Sequence, residues 1–413
     1  MAADVEARPP RGDLLGPWNS AVSSYYLLTG ATVLLLALGL VMVLSSSSVD
    51  SLSLTEGASP YSIFLNQAQY ALMGLPLAFV ASRLPVAFYK RVAWPGLALA
   101  VALQLLVFSS LGVEVKGNRN WVQIPGLGQV QPSEFAKLAL AVWLGMVLAR
   151  KRHLLGQWLH VLLPAAVVAM GVVGLVLLGK DLGTAIIMLV LVAGALFVAG
   201  VPMRMFGVAA VLAGVVVVAL AQGSSNRMSR IEAHFDPHCD VLNACYQTTR
   251  GKIGLSSGGL TGVGLGESRE KWSYLPEAHN DFIFAILGEE LGLLGTGLVL
   301  ALFAVLAVAI ARVVRRHSDP FVQITAGAIG AWILGQAVVN VAVVIGLLPV
   351  IGVPLPLVSA GGSALITTLL ALGVVLSFAR QEPGAAQALA ARPSVVRRSL
   401  VVIGRSVPGS SRG

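Results

Sequence analysis

The segment Pro276-Glu277-Ala278-His279-Asn280-Asp281-Phe282-Ile283-Phe284 places three ionisable side chains directly before an apolar run that continues to about Ile310. An apolar run of that length predicts a membrane-spanning helix. Charged groups at the boundary of such a helix are costly, so they usually mark a site. We therefore take Asp281 as the candidate catalytic residue. A helix N-cap, for which Asp is also preferred, is the simpler structural interpretation.

The composition of the chain indicates a membrane protein. Of its 413 residues, 56% are hydrophobic and 11% are charged, and the mean hydropathy is +0.82. This apolar surface is too large for a soluble core, and a bilayer core about 30 Å thick takes roughly 20 apolar residues per helix. We predict an all-α, polytopic fold with ten transmembrane helices, near residues 25–46, 61–81, 92–112, 132–149, 158–178, 183–199, 205–222, 281–311, 321–346 and 358–379.

The remaining segments are predicted to be two tails and one large loop. Residues 1–24 have no cleavable apolar core, so the first span is expected to act as an uncleaved signal anchor. Residues 25–380 form the transmembrane domain, with an extracytoplasmic loop at about 223–280 between helices seven and eight. Residues 381–413 form a basic tail that suits the inner leaflet, a cytoplasmic protein partner, or simple retention by charge.

The distribution of basic residues predicts the orientation. Of 28 Lys and Arg residues, 18 fall in segments predicted to be inside, 9 in segments outside and Lys137 within the fourth span. The positive-inside rule places both termini in the cytoplasm. The net charge of +9 reflects this bias and the basic tail, so we expect no nucleic-acid partner.

In this orientation the segments rich in Gly, Pro and charge all face outward. They are residues 116–134, 179–184, 223–280 and 348–363. Nucleoside triphosphates are not available on that face, so a bond-forming reaction there must draw its energy from the substrate. A lipid-linked diphosphate would serve.

The first outward motif contains Arg119 and leads into Glu134 and Lys137. Residues at i and i+3 lie on one face of a helix. Two interpretations follow: an internal Glu134–Lys137 ion pair that fixes helix packing, or an anion-binding wall made by Lys137 and Arg119. The second motif, Lys180-Asp181, is a tight connection between two spans, for which a pairwise structural role is favoured.

The long outer loop carries the glycine-rich run 254–266, which does not match a phosphate-binding loop because no strand precedes it and no Gly-Lys-Ser/Thr follows. Glycines permit close backbone approach, so we expect this run to pack over a cavity. Cys239 and Cys245 are the only cysteines and lie in the same oxidising loop, which makes them a candidate disulfide.

Span eight carries a stripe of small residues and two deep carboxylates. Ala285, Gly288, Gly292 and Gly295 follow Asp281 at helical spacing. Such a stripe lets another helix or a lipid chain approach closely. Glu289 and Glu290, about two turns deeper, need partners or water.

The last outward motif, residues 348–363, holds three prolines and three glycines across the membrane boundary. It is not a regular helix. Irregular backbone at that depth survives only when it is buried in protein or lines a wet cavity.

These motifs, in this order, resemble the SEDS family of shape, elongation, division and sporulation proteins. The Pro-Glu-Ala-His sequence is more like that of the division members than that of the elongation members. The Ala- and Val-rich composition of the chain resembles that of actinobacterial members. The match covers roughly residues 25–380, and its specific parts are Gly117 to Trp121, Gln131 to Glu134, Asp181 to Thr184, Leu275 to Phe282, Glu289 to Gly292, Pro354 to Pro356 and Ser359 to Ser363.

The resemblance implies a peptidoglycan glycosyltransferase that polymerises lipid II during septal wall synthesis, with undecaprenyl diphosphate as the leaving group. The family's essential aspartate falls on Asp281, which would act as general base toward the acceptor sugar's 4-hydroxyl while cations stabilise the diphosphate. We assign substrate binding to twelve further residues: Arg119, Glu134, Lys137, Lys180, Asp181, Lys271, Glu277, His279, Ser359, Gly361, Gly362 and Ser363.

The resemblance also implies partners. They are a class B penicillin-binding protein, which is a transpeptidase, other divisome proteins and membrane lipids, at the septum of the bacterial cytoplasmic membrane. Mg²⁺ or Mn²⁺, with Asp281 as a candidate ligand, suits a diphosphate, and no organic cofactor is expected.

Three departures from the family pattern affect the first, second and last motifs: Asn120, Lys180 and Ala360 stand where Arg, Pro and Tyr are common. Two other functional classes stay open. A lipid II transporter would use the deep charges as a route, and a non-catalytic divisome scaffold would tolerate changes in outer-face charge.

Overall fold

The computed structural model describes residues 22–115, 117–124, 128–222, 228, 232, 234–236, 239–243, 245–385, 387 and 389. Most of them are helical. The helices are α1 (Ser23–Ser46), α2 (Ser48–Leu54), α3 (Ser62–Arg83), α4 (Val86–Leu106), α5 (Pro132–Arg150), α6 (Trp158–Val161), α7 (Val167–Leu178), α8 (Leu182–Ala199), α9 (Met203–Gln222), α10 (Tyr246–Ser257), α11 (Ile283–Arg316), α12 (Pro320–Val344) and α13 (Gly362–Arg380).

Among the described residues, nine helices are long and apolar enough to cross a membrane. They are α1, α3, α4, α5, the joined pair α6 and α7 (Trp158–Leu178), α8, α11, α12 and α13. The span predicted at 205–222 corresponds to α9, whose first part, Met203–Leu212, is apolar. The polytopic all-α fold is confirmed, whereas the count of ten and the side of each terminus stay predictions. Most of both predicted tails lies outside the described residues.

The third predicted span, 92–112, is misplaced by about six residues. Helix α4 starts at Val86, directly after Pro85, and ends at Leu106. The predicted span left Lys90 in the preceding inner segment. Lys90 instead lies in the second turn of α4, and its Nζ pairs with Asp319 Oδ2 at 2.5 Å. A long Lys stem can cover apolar surface while its ammonium reaches a polar partner.

The outward segment after α4 forms a small antiparallel sheet that the sequence did not predict. Strands β1 (Gly112–Val115), β2 (Asn118–Ile124) and β3 (Gly128–Val130) pair in the order β1-β2-β3. The buried Asn120 side chain joins this sheet to the turn between α7 and α8, because its Nδ2 donates to the Gly179 carbonyl at 3.0 Å.

The core lies between α5, α12 and α13. Helix α12 packs against α8 and α5, α13 packs against α3, and α1 packs against α11. The largest fully buried aromatic side chains are Trp143, Trp332, Phe282, Phe321 and Phe378. Phe282 directly follows Asp281, so the start of α11 is anchored in this core.

Helix α11 is interrupted at Gly292, which has φ 65° and ψ −161°. Such a break leaves backbone groups without helical partners. Loop 259–264 supplies them through four hydrogen bonds of 2.9 to 3.1 Å: Val263 N and Gly264 N donate to the carbonyls of Glu289 and Glu290, and Leu293 N and Leu294 N donate to those of Gly259 and Leu260. At 1.5 Å per residue, the break lies about 14 Å from the start of α11.

The small-residue face of α11 is therefore covered by α10 and its following loop. A Cβ on Gly288 would meet the Leu255 side chain, and one on Gly258 would meet the Gly288 carbonyl. Of the two occupants predicted for this stripe, another helix or a lipid chain, the structure places a helix there. The glycine-rich run does pack closely, but against the break in α11 rather than over a cavity.

Candidate functional site

The segment that carries Asp281 is a tight turn at the N-terminal end of α11. The Glu277 carbonyl accepts from the backbone N–H groups of Asn280 and Phe282, at 3.0 and 3.2 Å. Helix α11 starts at Ile283, and its N-cap is Phe282, whose side chain makes no capping bond. The N-cap interpretation of Asp281 is thus wrong, because Asp281 lies one residue before the cap.

Three consecutive carbonyls of this turn are held from the core side. The donors come from the last outward motif and from α12: Ala360 N to His279 O at 2.9 Å, Ser359 Oγ to Asn280 O at 2.7 Å, and Asn340 Nδ2 to Asp281 O at 2.8 Å. The backbone of the turn is therefore fixed.

The partly exposed Asp281 side chain lies beside Gly352. A Cβ on Gly352 would lie 3.5 Å from Asp281 Oδ2, and Gly352 has φ 72°, which L side chains rarely adopt. The glycine thus lets the last outward motif pass directly next to the carboxylate.

Buried side-chain amides brace the irregular motif. Gln67 of α3 donates to the Ser359 carbonyl at 3.1 Å and accepts from Gly361 N at 3.0 Å. Gln336 of α12 donates to the Pro354 carbonyl at 2.9 Å. From Val353 to Ser359 the motif is mostly buried in protein, one of the two conditions under which such backbone survives at this depth.

Sequence reasoning missed these bracing amides. Gln336 and Asn340 each interrupt an apolar part of their span, and Gln67 lies in a polar stretch with Asn66 and Gln69. Polar residues inside a span are expensive, and that was the signal that could have found them.

Glu134 and Lys137 form an internal ion pair. Their charged atoms are 2.8 Å apart, and the side chains are 5% and 2% exposed. Lys137 Nζ also donates to Gln336 Oε1 at 3.3 Å and lies 4.7 Å from the Trp332 ring centre. Arg119 is instead exposed on β2 and donates to the Ser109 carbonyl at 2.9 Å. The contacts of the two cations therefore do not form one anion-binding wall.

Asp181 connects three of the outward motifs. It caps α8 by accepting from Thr184 N at 2.9 Å, and Gln131 Nε2 donates to its Oδ2 at 2.9 Å. Gln131 N in turn donates to the buried Ser363 Oγ at 3.2 Å. Burial raises the pKa of the Asp181 carboxyl; the Thr184 hydrogen bonds lower it, and the Glu134 charge raises it further. The neighbouring Lys180 is exposed, with φ 64°.

Lys271 is buried with Glu290. Its Nζ donates to the Gly266 carbonyl at 2.5 Å and lies 3.6 Å from Glu290 Oε1. Ser45 Oγ of α1 bonds both oxygens of Glu290, at 2.6 and 2.7 Å. These contacts join the outer loop, α11 and α1, so they place Lys271 in a packing role. Its substrate contact stays a prediction.

Glu289 also has partners, as its depth required. It accepts from Ser268 Oγ at 2.5 Å and from Arg269 N at 2.9 Å. The segment that returns from the break in α11 toward Pro276 is therefore attached to α11 by a buried carboxylate.

Four further predicted positions have structural contacts. Glu277 has φ 57° and accepts from Asn280 Nδ2 at 2.6 Å. Gly362 packs against the Tyr70 ring, where a Cβ would not fit. Cys239 and Cys245 are joined in a disulfide, with Cα atoms 6.0 Å apart.

The candidate metal ligands do not form a protein-only metal site. Among the described residues, no group of three or more His, Cys, Asp and Glu side chains is placed to hold a metal ion. Mg²⁺ can bind through one or two carboxylates when substrate phosphates supply further oxygens. Asp281 fits that limited role, and the cation stays a prediction.

A family model described as cell cycle protein matches residues 26–383. The chain belongs to this FtsW, RodA and SpoVE family. The resemblance drawn from the four motifs is confirmed, and the protein is a multi-pass membrane protein.

Similar proteins share most of the chain. A Mycobacterium tuberculosis protein named "probable peptidoglycan glycosyltransferase FtsW" is 40% identical over 393 residues, covering 93% of this chain and 74% of the relative. A Nitrosococcus halophilus protein of the same name is 39% identical, covering 84% and 90%.

Two solved structures share the fold. A chain from a peptidoglycan synthase complex, described as coordinating polymerization and crosslinking, matches with a TM-score of 0.69 at 27% identity, covering 86% of this chain and 96% of that one. The rod shape determining protein RodA of Thermus thermophilus matches with a TM-score of 0.64 at 28% identity, covering 86% and 97%.

Proposed function

We propose that this protein is a peptidoglycan glycosyltransferase that polymerises lipid II on the outer face of the cytoplasmic membrane. The observation that carries the proposal is the fixed turn at Asp281, whose carboxylate is partly exposed while three successive carbonyls are held by the core. Membership of a family whose relatives carry the glycosyltransferase name supports the reaction class.

Asp281 acts as the general base in this proposal. Its carboxylate takes the proton of the acceptor sugar's 4-hydroxyl as that oxygen attacks the anomeric carbon of the donor. The bond from that carbon to the diphosphate breaks, and the diphosphate leaves with the electron pair. Positive charge on the outer face, such as exposed Arg119 and Lys180, stabilises the charge that develops on the leaving group.

A divalent cation would enter this reaction with the substrate. The part of the chain that the structure describes has no group of three or more metal-ligating side chains, so Asp281 would be the protein ligand. Most of the oxygen ligands of Mg²⁺ or Mn²⁺ would come from the diphosphate. Chelation by EDTA should lower polymerisation, and added Mg²⁺ or Mn²⁺ should restore it.

The proposal includes the setting of septal wall synthesis. A class B penicillin-binding protein would crosslink the new strand, and other divisome proteins and membrane lipids would be further partners. A shared fold with a synthase complex that coordinates polymerization and crosslinking supports the transpeptidase partner. The identity to division-type relatives supports the septum over the lateral wall.

Transport of lipid II is the second functional class to be tested. Its proposed route used the deep charges Glu134, Lys137, Glu289 and Glu290. Each has a hydrogen-bond or ion-pair partner, which favours a packing role over an open route.

The test uses purified full-length protein, with and without its cognate transpeptidase, supplied with lipid II. We expect glycan polymer with the partner present, detected by gel separation of labelled product. The same protein in vesicles is assayed for movement of lipid II between leaflets. Movement without polymer would support the transporter, and neither activity with intact partner binding would support the scaffold.

A further inference from the structure

Helix α2 brings an acidic side chain from the N-terminal part of the chain to the turn at Asp281. Asp50 lies in the first turn of α2. Its Oδ2 is 2.9 Å from Nδ1 of His279, which lies 229 residues later and two residues before Asp281. The Asp50 and His279 side chains are 31% and 17% exposed, so both are accessible from the outer face.

The position of α2 is fixed by its neighbours. Ser51 Oγ accepts from Ile63 N of α3 at 3.2 Å, and Ser51 is fully buried. At the end of α1, Ser45 bonds Glu290 of α11. The α1–α2 unit therefore makes two contacts with this region. Ser45 contacts Glu290 within α11, and Asp50 contacts His279 in the turn before α11.

The contact determines which ring nitrogen of His279 is available. An ionised carboxylate only accepts hydrogen bonds, so Nδ1 of His279 must carry the hydrogen. The hydrogen bond at one ring nitrogen sets the role of the other, and Nε2 is left for a further partner. Because the His279 carbonyl is also held by Ala360 N at 2.9 Å, both the backbone and the ring are oriented.

We propose that Asp50 is a positioning residue of the glycosyl-transfer site and acts through His279. Asp50 orients the imidazole so that Nε2, the acceptor nitrogen of the neutral ring, accepts a hydrogen bond from a sugar hydroxyl of the lipid-linked substrate next to Asp281. This inference rests on the proposed function. It assigns a role to α2, which none of the four outward motifs includes.

The energetics separate this role from a structural one. Partly exposed ion pairs contribute little to stability, since solvent screens them. Loss of the Asp50 side chain should therefore leave folding intact. A loss of activity far larger than any change in thermal midpoint would come from orientation, because small misplacements of a reacting group have large effects on rate.

The experiment is a double-mutant cycle on lipid II polymerisation, with kcat and KM measured separately for Asp50→Ala, His279→Ala and the double variant. We expect Asp50→Ala to lower kcat/KM roughly ten-fold or more. In the His279→Ala background it should have no further effect, since a residue that acts only through His279 shows full coupling. Asp50→Asn keeps an acceptor oxygen and should recover much of the activity.

Glu56→Gln is the matched control. Glu56 is an exposed acid on the same outward connection, between α2 and α3, so the change removes the same charge from the same face. We expect wild-type kinetics. If Glu56→Gln and Asp50→Asn lower the rate equally, net charge rather than the His279 contact is responsible, and the inference is wrong.

Two other results overturn the inference. The first is an equal loss of kcat/KM from Asp50→Ala in the wild-type and His279→Ala backgrounds. The second is no loss of kcat/KM in either background while Asp281→Asn abolishes polymerisation. If the wild type makes no polymer, the proposed function fails. The Asp50–His279 contact can still be tested in that case by measuring lipid II binding, which needs no turnover. In an Asp281→Asn background, Asp50→Ala should raise the dissociation constant for lipid II several-fold, and an unchanged constant contradicts the role of Asp50.

Discussion

The side-chain amide of Asn340 donates to the main-chain carbonyl of Asp281 at 2.8 Å and to that of Val353 at 2.7 Å. One buried side chain of α12 thus joins the turn that carries the candidate base to the irregular segment that passes beside it. The position of the Asp281 turn therefore depends on a residue that lies 59 positions after Asp281 and 13 positions before Val353.

Replacement of Asn340 should affect both stability and activity. Asn340→Ala leaves two carbonyls without this donor, and a buried group left unsatisfied costs about 1–3 kcal/mol. We expect a lower thermal midpoint in detergent and at least a ten-fold lower polymerisation rate, since the turn is released. Asn243→Ala, an exposed amide that contacts Asp240 in the outer loop, is the matched control and should be unchanged. Wild-type stability and rate for Asn340→Ala would contradict the bracing role.

The break in α11 depends on Gly292. A Cβ there would meet the Leu260 carbonyl and would force a side chain into φ 65°. Strain of this kind costs about 1–3 kcal/mol. Gly292→Ala should therefore lower the thermal midpoint, whereas Gly297→Ala, in the same helix with open space around it, should be neutral or slightly stabilising. Equal midpoints for the two variants would mean that the break is not required.

The buried Glu134–Lys137 pair gives a stability prediction of its own. Lys137→Met leaves the Glu134 carboxylate buried without its cation, which costs about 3–5 kcal/mol. The double variant Glu134→Leu/Lys137→Met replaces the pair by apolar side chains and should recover most of the lost thermal midpoint. A double variant no more stable than the single one would show that the pair does not act as a unit.

Asp181 gives a prediction about pH. Its pKa is raised in the folded protein by burial, so protonation favours the folded state. That contribution is fully present below the unfolded value of about 4 and is lost as the pH rises through the folded pKa. Asp181→Asn is uncharged and can still cap α8. The thermal midpoint of the wild type relative to Asp181→Asn should therefore fall from about pH 4 toward neutrality; a constant or rising difference would contradict the burial argument.

The spans were predictable because hydropathy reports them directly. Most predicted boundaries agree with the helices to within a few residues, since backbone groups in a bilayer must be paired within the segment. The exception is α4, which begins four residues before Lys90, whose ammonium pairs with Asp319. That pairing joins positions 229 residues apart, and no local pattern indicates it.

The candidate site was predictable in its residues more than in its contacts. Asp281 stands out because a carboxylate at a span boundary is costly. Asn340 and Gln67 brace its surroundings through bonds between distant segments. Polarity inside an apolar run marks such residues as unusual but does not show which carbonyl they bind. The insertion of loop 259–264 into α11 was also missed. Gly292, where the helix breaks, resembles the other small residues of its stripe, so the sequence does not mark it.

The most direct test compares lipid II polymerisation by the wild type, Asp281→Asn and Asp240→Asn, each with the transpeptidase partner and each checked for membrane insertion and partner binding. Asp240 is an exposed outer-loop carboxylate that bonds its own turn. The account predicts polymer from the wild type and Asp240→Asn, and none from a folded Asp281→Asn variant. Polymerisation at the wild-type rate by Asp281→Asn would contradict the assignment of Asp281 as the base.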